Sequence, residues 1–316
     1  MVQHAVYRTL ETAARQLDSP VVTIGNFDGV HLGHQAIFAR VRKLADDREA
    51  PAVAVTFCPH PVRYFRPDAP PFRLTTEEQK QRLLAEYGLH ASVMLDFNED
   101  LAELSPEKFV AQVLDEGLSA TAVVVGQDFA FGQGRAGTTD DLERLCAQRG
   151  IEAHIVPHVE LDGEPVSSTR VRKAIEQGDM DLTTRLLGRP YRIGGEVVRG
   201  EQRGRRLGFP TANIATENPL LPPNGVYATT LHVDDFAPLH SITNVGTRPT
   251  FGESEITVET FVLGGDGQPD QLDLYGAHVE LDFWKMVRPE RAFESADELI
   301  EQIERDVDQV RRYFLL

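Results

Sequence analysis

The sequence predicts an α/β protein of two domains, a parallel sheet covered by helices and then an antiparallel barrel or sandwich with a closing helix. Three observations carry this expectation. From residue 20 to about 187, continuous apolar runs rich in Val and Ile alternate with helical patterns, as strands buried on both faces of a parallel sheet do. Beyond Tyr191, strand-like runs follow one another with only Gly, Pro, Asn and Asp between them, which indicates antiparallel pairing. A length of 316 residues also exceeds the usual size of one hydrophobic core. The expected domains are residues 1–187 and 188–316.

In the first domain, strands are expected at Val21–Ile24, Ala52–Phe57, Ser92–Leu95, Thr121–Val125 and Ile151–Val156. Between them, Thr75 and Glu78 have capping-box spacing, and Ser105 precedes a proline suited to a first helical turn. Gly117 is expected to close that second helix. In the second domain, strands are expected at Gly195–Arg199, Gly225–Val233, Leu239–Val245, Ile256–Leu263 and His278–Trp284. The chain then ends in a helix with Ser295 and Glu298 as a capping box, and Leu299, Ile303, Val307, Val310 and Phe314 recur at helical spacing to pack on the sheet.

Composition narrows the function classes. No apolar run approaches the roughly 18 residues needed to span a bilayer, and MVQHAVYRTLETAARQ is too polar for a signal peptide. Cys58 and Cys146 belong to no paired or Cys/His pattern, so a disulfide or a metal knot is not expected. A cytoplasmic enzyme fits these features. The net charge of −17, from 49 acidic and 32 basic side chains of which only five are lysine, repels polyanions and argues against nucleic acid. The basic clusters, at Arg203–Arg206 and Arg170–Lys173, border motifs that look like small phosphate sites.

The segment GNFDGVHLGH, Gly25 to His34, follows the Val21–Ile24 run and leads into an amphipathic stretch. Gly25 and Gly29 permit a tight turn and close approach of backbone to a ligand. The helix that follows offers unpaired N–H groups and its positive dipole end to an anion, and His31 and His34, at i and i+3, share one face of its first turn. Two histidines could instead belong to a metal site, but zinc needs three or four ligands and no cluster completes one. Two plain surface histidines would leave the strand and the glycines as coincidence. A phosphate site accounts for all of them, and the residues resemble the HxGH signature of the nucleotidyltransferase superfamily. Phe27 and Asp28 of the same turn are assigned to the nucleotide with Gly25 and Gly29.

Two further stretches of this domain carry chemistry. Ser167, Ser168, Thr169 and Arg172 place hydroxyls at a helix start and a forked cation one turn in, suited to a polyphosphate. Alone they read as an N-cap beside an exposed charge. Gly132, Gly134 and Gly137 satisfy GxGxxG, yet a dinucleotide fingerprint must follow a strand directly and open a helix, and here several residues intervene after Val125. A glycine-rich, aromatic loop at the carboxyl edge of a parallel sheet is instead placed to contact a ligand. Phe129 and Phe131 can stack on a flat ring or be buried.

In the second domain GRRLGFPTANI, Gly204 to Ile214, reads as an irregular segment after a strand, with Thr211 and Asn213 supplying oxygen ligands for Mg²⁺ or phosphate and Pro210 stiffening the backbone. No GxxxxGK[ST] is present, so phosphoryl transfer here does not use a Walker loop. GFPTAN, NGVYA (Asn224–Ala228), NVGTRPTFG (Asn244–Gly252), VETF around Glu259 and DLYG (Asp273–Gly276) resemble the successive motifs of riboflavin kinase. In the first domain TIGNFDGVHLGH, TFCPHP, GQDFAFGQGRAG and SSTRVR resemble the adenylyltransferase half of the bacterial bifunctional FAD synthetase family. The resemblance runs from about residue 20 to the final helix, and the order of motifs over two domains carries it.

This resemblance implies a Rossmann-like nucleotidyltransferase domain followed by an antiparallel β-barrel riboflavin kinase domain with a C-terminal helix. It implies phosphorylation of riboflavin to FMN and adenylylation of FMN to FAD with release of pyrophosphate, the partners being riboflavin, FMN, FAD and ATP, with Mg²⁺ as cofactor and neither nucleic acid nor membrane involved. Residue by residue, it places Thr211 and Asn213 at Mg²⁺ and the ATP phosphates beside Gly208, and Glu259 as the base for the ribityl 5′-hydroxyl. His31 and His34 fall on the ATP phosphates of the other site, Ser168, Thr169 and Arg172 on the polyphosphate, and Asp128 and Phe129 at the flavin. Another nucleotidyltransferase with an appended binding domain would leave GFPTAN and Glu259 without work.

Overall fold

The computed structural model describes residues 4–200, 204, 208–234, 236–249, 254–263 and 274–315. Contacts divide the chain into two compact units, Met1–Ser168 and Thr169–Leu316. Arg203, Arg205 and Arg206 of the basic cluster, Thr250–Gly252 of NVGTRPTFG, and Asp273 of DLYG lie outside the described residues.

The first unit is built on six strands, β1 (Ala5–Tyr7), β2 (Val21–Ile24), β3 (Ala52–Cys58), β4 (Ala91–Asp96), β5 (Ala122–Gly126) and β6 (Glu152–Val156), all parallel in the order β1-β4-β3-β2-β5-β6. Five of them fall where apolar runs predict strands. β1 is the addition: a three-residue edge strand, partly exposed, has no apolar run to announce it. The chain steps from β2 outward through β3 and β4, then returns to place β5 on the other side of β2. In such sheets ligands bind at the carboxyl ends beside this reversal.

Alternate residues of the buried strands feed two cores. Val22, Val53 and Val123 face α1 (Leu10–Ala14) and the later helices, while Val21, Ala54 and Val124 face α2 (Leu32–Asp47). Next come α3 (Pro61–Phe65), α4 (Glu77–Glu86), α5 (Glu99–Ala102), α6 (Pro106–Phe109) and α7 (Thr139–Ala147). The capping box of α4 sits one residue later than expected: Thr76 Oγ1 accepts from Gln79 N (3.2 Å) and Gln79 Oε1 accepts from Thr76 N (3.0 Å). A glutamine serves this role as well as a glutamate, and Thr75 is left for burial. Ser105 caps α6 as expected, with Pro106 in its first turn. The helix continues through a π-turn, Val110–Asp115, and Gly117 does not close it with left-handed backbone. That conformation falls to Ser119, and Gly117 instead lets the chain pass where a Cβ would lie 2.5 Å from Gln112 O. Cys146 on α7 is buried, and burial pushes its thiol up to about 12.

A short hairpin, β7 (Glu160–Leu161) and β8 (Glu164–Pro165), precedes α8 (Ser168–Glu176) and α9 (Met180–Leu187). The second unit then closes a six-stranded antiparallel barrel from β9 (Tyr191–Val198), β10 (Ala212–Thr216), β11 (Gly225–Val233), β12 (Leu239–Pro249), β13 (Ser254–Val262) and β14 (His278–Pro289), in the order β10-β13-β12-β11-β14-β9. β10 is a strand where an irregular segment was expected; it pairs with β9 on one side and β13 on the other and so completes the closure. Arg192 on β9 reinforces the neighbouring seam with a forked contact to Asp282 on β14 (2.6 and 2.7 Å). Inside the barrel four fully buried hydroxyls form a chain: Thr229 meets Ser241 and Thr243 at 2.7 Å, and Thr243 meets Thr260 at 2.9 Å.

The final helix, α10 (Ala296–Phe314), packs Val307, Val310, Ile303 and Phe314 against Val226, Ala228 and Ile242 on the outer face of the barrel. Its start departs from the full capping box: Ser295 Oγ accepts from Glu298 N, but the Glu298 carboxylate takes the N–H of Glu294 instead of that of Ser295. Buried Asp306 accepts from Arg288 Nε (2.8 Å) and from Gln302 Nε2 (2.7 Å), tying α10 to β14. Replacing Asp306 with Ala strands the half-buried guanidinium, and we expect a loss of about 3 kcal/mol, read as a shift in the urea unfolding midpoint of the second unit.

Candidate functional site

Between β2 and α2 the backbone is left-handed at Phe27 (φ +50°), Gly29 (φ +81°) and Val30 (φ +43°). For a β-branched residue this is a costly conformation, so the surroundings must impose it. Phe27 is buried and set edge-on to His34 and Phe38, with ring centroids 5.3 and 4.9 Å away. Asp28 is 5% exposed; its Oδ1 accepts from Leu74 N (2.8 Å) and its carbonyl accepts from Ser168 Oγ (2.9 Å). A Cβ on Gly25 would meet the Phe27 ring at 2.8 Å, and one on Gly29 would meet Leu74 Cδ1 at 2.5 Å. Gly25 is therefore required by packing, and Gly29 by packing as well as by conformation. Asp28 and Gly29, expected at the nucleotide, also make contacts that shape this turn.

The turn leads into the start of α2, a 16-residue helix whose N-cap residue, His31, makes no side-chain cap hydrogen bond, and a helix start of this kind suits an anion. The His31 and His34 rings stack at 3.7 Å beside it. Both histidines line a cavity of about 990 Å³ at the carboxyl ends of β2, β3, β5 and β6, with Gly25, Phe27, Asp128, Phe129 and Ser168 also in its wall. Ser168 opens α8, on which Thr169 and then Arg172 follow. Phe129 stacks on Phe131 (5.5 Å), which is itself buried in the core. The GxGxxG segment opens no α-helix directly: β5 ends at Gly126, a 3-10 turn spans Gln133–Arg135, and α7 starts only at Thr139.

Several wall residues escaped the sequence. Asn26 Oδ1 is buried with no hydrogen-bond partner among the described residues and sits in the cavity wall. Phe57, Phe65 and Phe97 form an aromatic group there, with Phe97 lying 5.7 Å from Phe57 and 5.8 Å from Phe65, and Phe65 is 65% exposed. An exposed phenylalanine just after a His-Pro turn was the available signal. His60 of that turn caps α3 through Nδ1, which accepts from Val62 N.

In the second unit, three expected residues come together on the outside of the barrel. The register pairs Asn213 on β10 with Glu259 on β13, and Thr211 Oγ1 donates to Glu259 Oε2 at 3.3 Å. Gly208 has left-handed backbone (φ +87°) with open space where a Cβ would stand. The lining at Asn213 is tight: a Cβ on Gly200 would collide with its amide. Phe209 packs edge-on against Phe261 beneath α10, forming an apolar margin next to this oxygen-rich row.

Comparison with known proteins places the chain in a family. Residues 13–170 match the family model described as FAD synthetase, and residues 187–314 match the one described as riboflavin kinase. The chain belongs to the bifunctional riboflavin kinase/FMN adenylyltransferase family. Relatives of that name are 39% identical over 292 residues in Pseudomonas fluorescens, covering 92% of both chains, and 36% identical over 294 residues in Escherichia coli K12, covering 93% of this chain and 92% of that one. A solved structure described as a macrolide-efflux protein from Streptococcus pneumoniae is similar over 98% of this chain and 99% of its own, with a TM-score of 0.86 and 29% identity. That description is of the pneumococcal protein; among the described residues here no helix is long and apolar enough to cross a membrane. As a member of the bifunctional family, this protein phosphorylates riboflavin to FMN and adenylylates FMN to FAD, using ATP in both steps. Substituting Gly29 with Ala should destabilise the first unit by about 2 kcal/mol and lower FMN adenylylation while riboflavin phosphorylation persists, as urea unfolding and flavin chromatography would show.

Proposed function

We propose that the two activities of this family run at two separate sites on this chain, adenylylation in the cavity of the parallel-sheet unit and phosphorylation on the Glu259 face of the barrel. The functional boundary is placed at Leu187/Gly188: the second family match begins at residue 187, although α8 and α9 count with the compact second unit. One contrast carries the assignment. Glu259 is bonded to a hydroxyl of the PTAN segment, whereas the cavity wall is cationic, neutral and aromatic, with Asp128 its one carboxylate. An alcohol nucleophile needs a base, and a phosphate monoester, already anionic, does not.

At the barrel, Glu259 accepts the proton of the ribityl 5′-hydroxyl as that oxygen attacks the γ-phosphorus of ATP, the bond from that phosphorus to the β,γ-bridging oxygen breaks and ADP leaves. Thr211, Asn213 and the backbone at Gly208 hold the nucleotide phosphates. The donor set there fits Mg²⁺, a hydroxyl and an amide oxygen next to a carboxylate being hard ligands. No group of three His, Cys, Asp or Glu side chains that could cage a metal exists among the described residues, so an ion at this site would be held largely by ATP oxygens and water. When bound, Mg²⁺ offsets phosphate charge.

In the cavity, the N-terminal N–H groups of α2, with His31 and His34, receive the ATP phosphates as FMN phosphate attacks the α-phosphorus and pyrophosphate leaves. Ser168, Thr169 and Arg172 assist at the polyphosphate. The isoalloxazine rests against the aromatic group of Phe57, Phe65, Phe97 and Phe129, near Asp128. Positioning and charge complementarity supply the rate enhancement. The net charge of −17 fits small-molecule partners better than nucleic acid or an anionic membrane, and unpaired Cys58 and Cys146 fit the cytoplasm.

Two outcomes check these roles. Glu259→Ala should lower riboflavin phosphorylation by roughly 10² to 10⁴ while FMN adenylylation survives; equal loss of both in a folded variant would show a shared site. Replacing His31 and His34 together with Ala should abolish FAD formation and let FMN accumulate, which separation of the flavins after incubation with riboflavin, ATP and Mg²⁺ would reveal.

A further inference from the structure

The pleat of the barrel sorts β12 and β13 into an inner and an outer row. Thr243, Val245, Val258 and Thr260 are buried inside, so Asn244 and Glu259 point outward. The register then places Glu259 between two asparagines, Asn213 of β10 on one side and Asn244 of β12 on the other. Each amide lies against a glycine. A Cβ on Gly200 would collide with the Asn213 amide, and one on Gly246 would sit 3.1 Å from Asn244 Nδ2. The row is asymmetric all the same. Thr211 engages Glu259 from the Asn213 side, and no hydrogen bond is made by the half-buried Asn244 amide among the described residues.

We propose that Asn244 is the specificity-determining residue that reads the polyol character of the alcohol substrate. This rests on the reading above, in which Glu259 receives the terminal hydroxyl and Thr211 and Asn213 face the nucleotide. The alcohol then lies on the side of Glu259 where Asn244 stands. Directly opposed cross-strand side chains lie about 5 Å apart at Cβ, so a chain whose last hydroxyl is held by the carboxylate brings the hydroxyl of its next carbon to the amide. Nδ2 can donate to that oxygen and Oδ1 can accept from it. An alcohol lacking the second hydroxyl leaves the amide facing an apolar carbon, and the site discriminates against it. The ribityl chain supplies the required pair.

The test uses the full chain with riboflavin and with 4′-deoxyriboflavin, which lacks only the hydroxyl next to the phosphorylated one. For Asn244→Ala the preference for riboflavin in kcat/KM should fall about tenfold, through a higher KM for riboflavin with the KM for ATP unchanged. Gly246→Ala, which presses on the same amide without removing it, should move the preference in the same direction. An Asn244→Ala variant that keeps the wild-type preference overturns the proposal, even if it phosphorylates both alcohols more slowly. Should Asn244→Ala fail to fold, Asn244→Ser is read by the same criterion: a reduced preference supports the proposal and a wild-type preference overturns it. Glu259→Gln is run alongside. Full phosphorylation by that variant would overturn the underlying assignment of the base, and this is distinguishable because it does not depend on which alcohol is preferred.

Discussion

The adenylylating unit depends on one local constraint, the left-handed passage through Phe27, Gly29 and Val30. Such backbone survives only where its surroundings over-determine it, and here three independent contacts do so. The Phe27 ring is wedged against His34 and Phe38, the Asp28 carboxylate holds Leu74, and the Asp28 carbonyl is held by Ser168 from the far end of the unit. The same contacts that force the turn also deliver the start of α2 to the cavity, whose wall includes His31, Gly33 and His34. The helix start is thus set by main-chain geometry, with the two stacked histidines beside it.

The barrel solves a related problem by a different route. Oxygen-bearing side chains are lined up on adjacent strands, and alternation in each strand keeps them outward while its neighbours fill the core. Under the proposed assignment the two units divide along the chemistry of the nucleophile: an alcohol next to a carboxylate, and an anion next to donors.

Much of this was legible in the sequence because periodicity and turn chemistry agree. Val21–Ile24 reads as a buried strand and is one, and the glycines and histidines after it fall on the turn and helix start. β10 was hidden because Gly208 and Pro210 mark the stretch as irregular, and its strand character comes from pairing with β9 and β13, which lie far off in the chain. Asp28 shows the limit for single side chains. Within a motif read as phosphate-binding an acidic residue looks functional, and only the position of Leu74, 46 residues on, reveals that its carboxylate also serves the fold. Phe57, Phe65 and Phe97 come from three segments and no spacing rule unites them.

The buried hydroxyl chain inside the barrel bears on how accurately the outer row can be built. Apolar barrel interiors are permissive, since a strand displaced along its neighbour still finds hydrocarbon to touch, whereas a hydroxyl without its counterpart is penalised. Thr243 and Thr260 are direct cross-strand partners, one residue from Asn244 and Glu259. A slip of a single residue would strip these hydroxyls of their partners and turn the carboxylate inward in the same stroke. The polar interior thus acts as an indexing pin, set on the hidden side of the wall, that fixes where the reactive groups stand on the visible one.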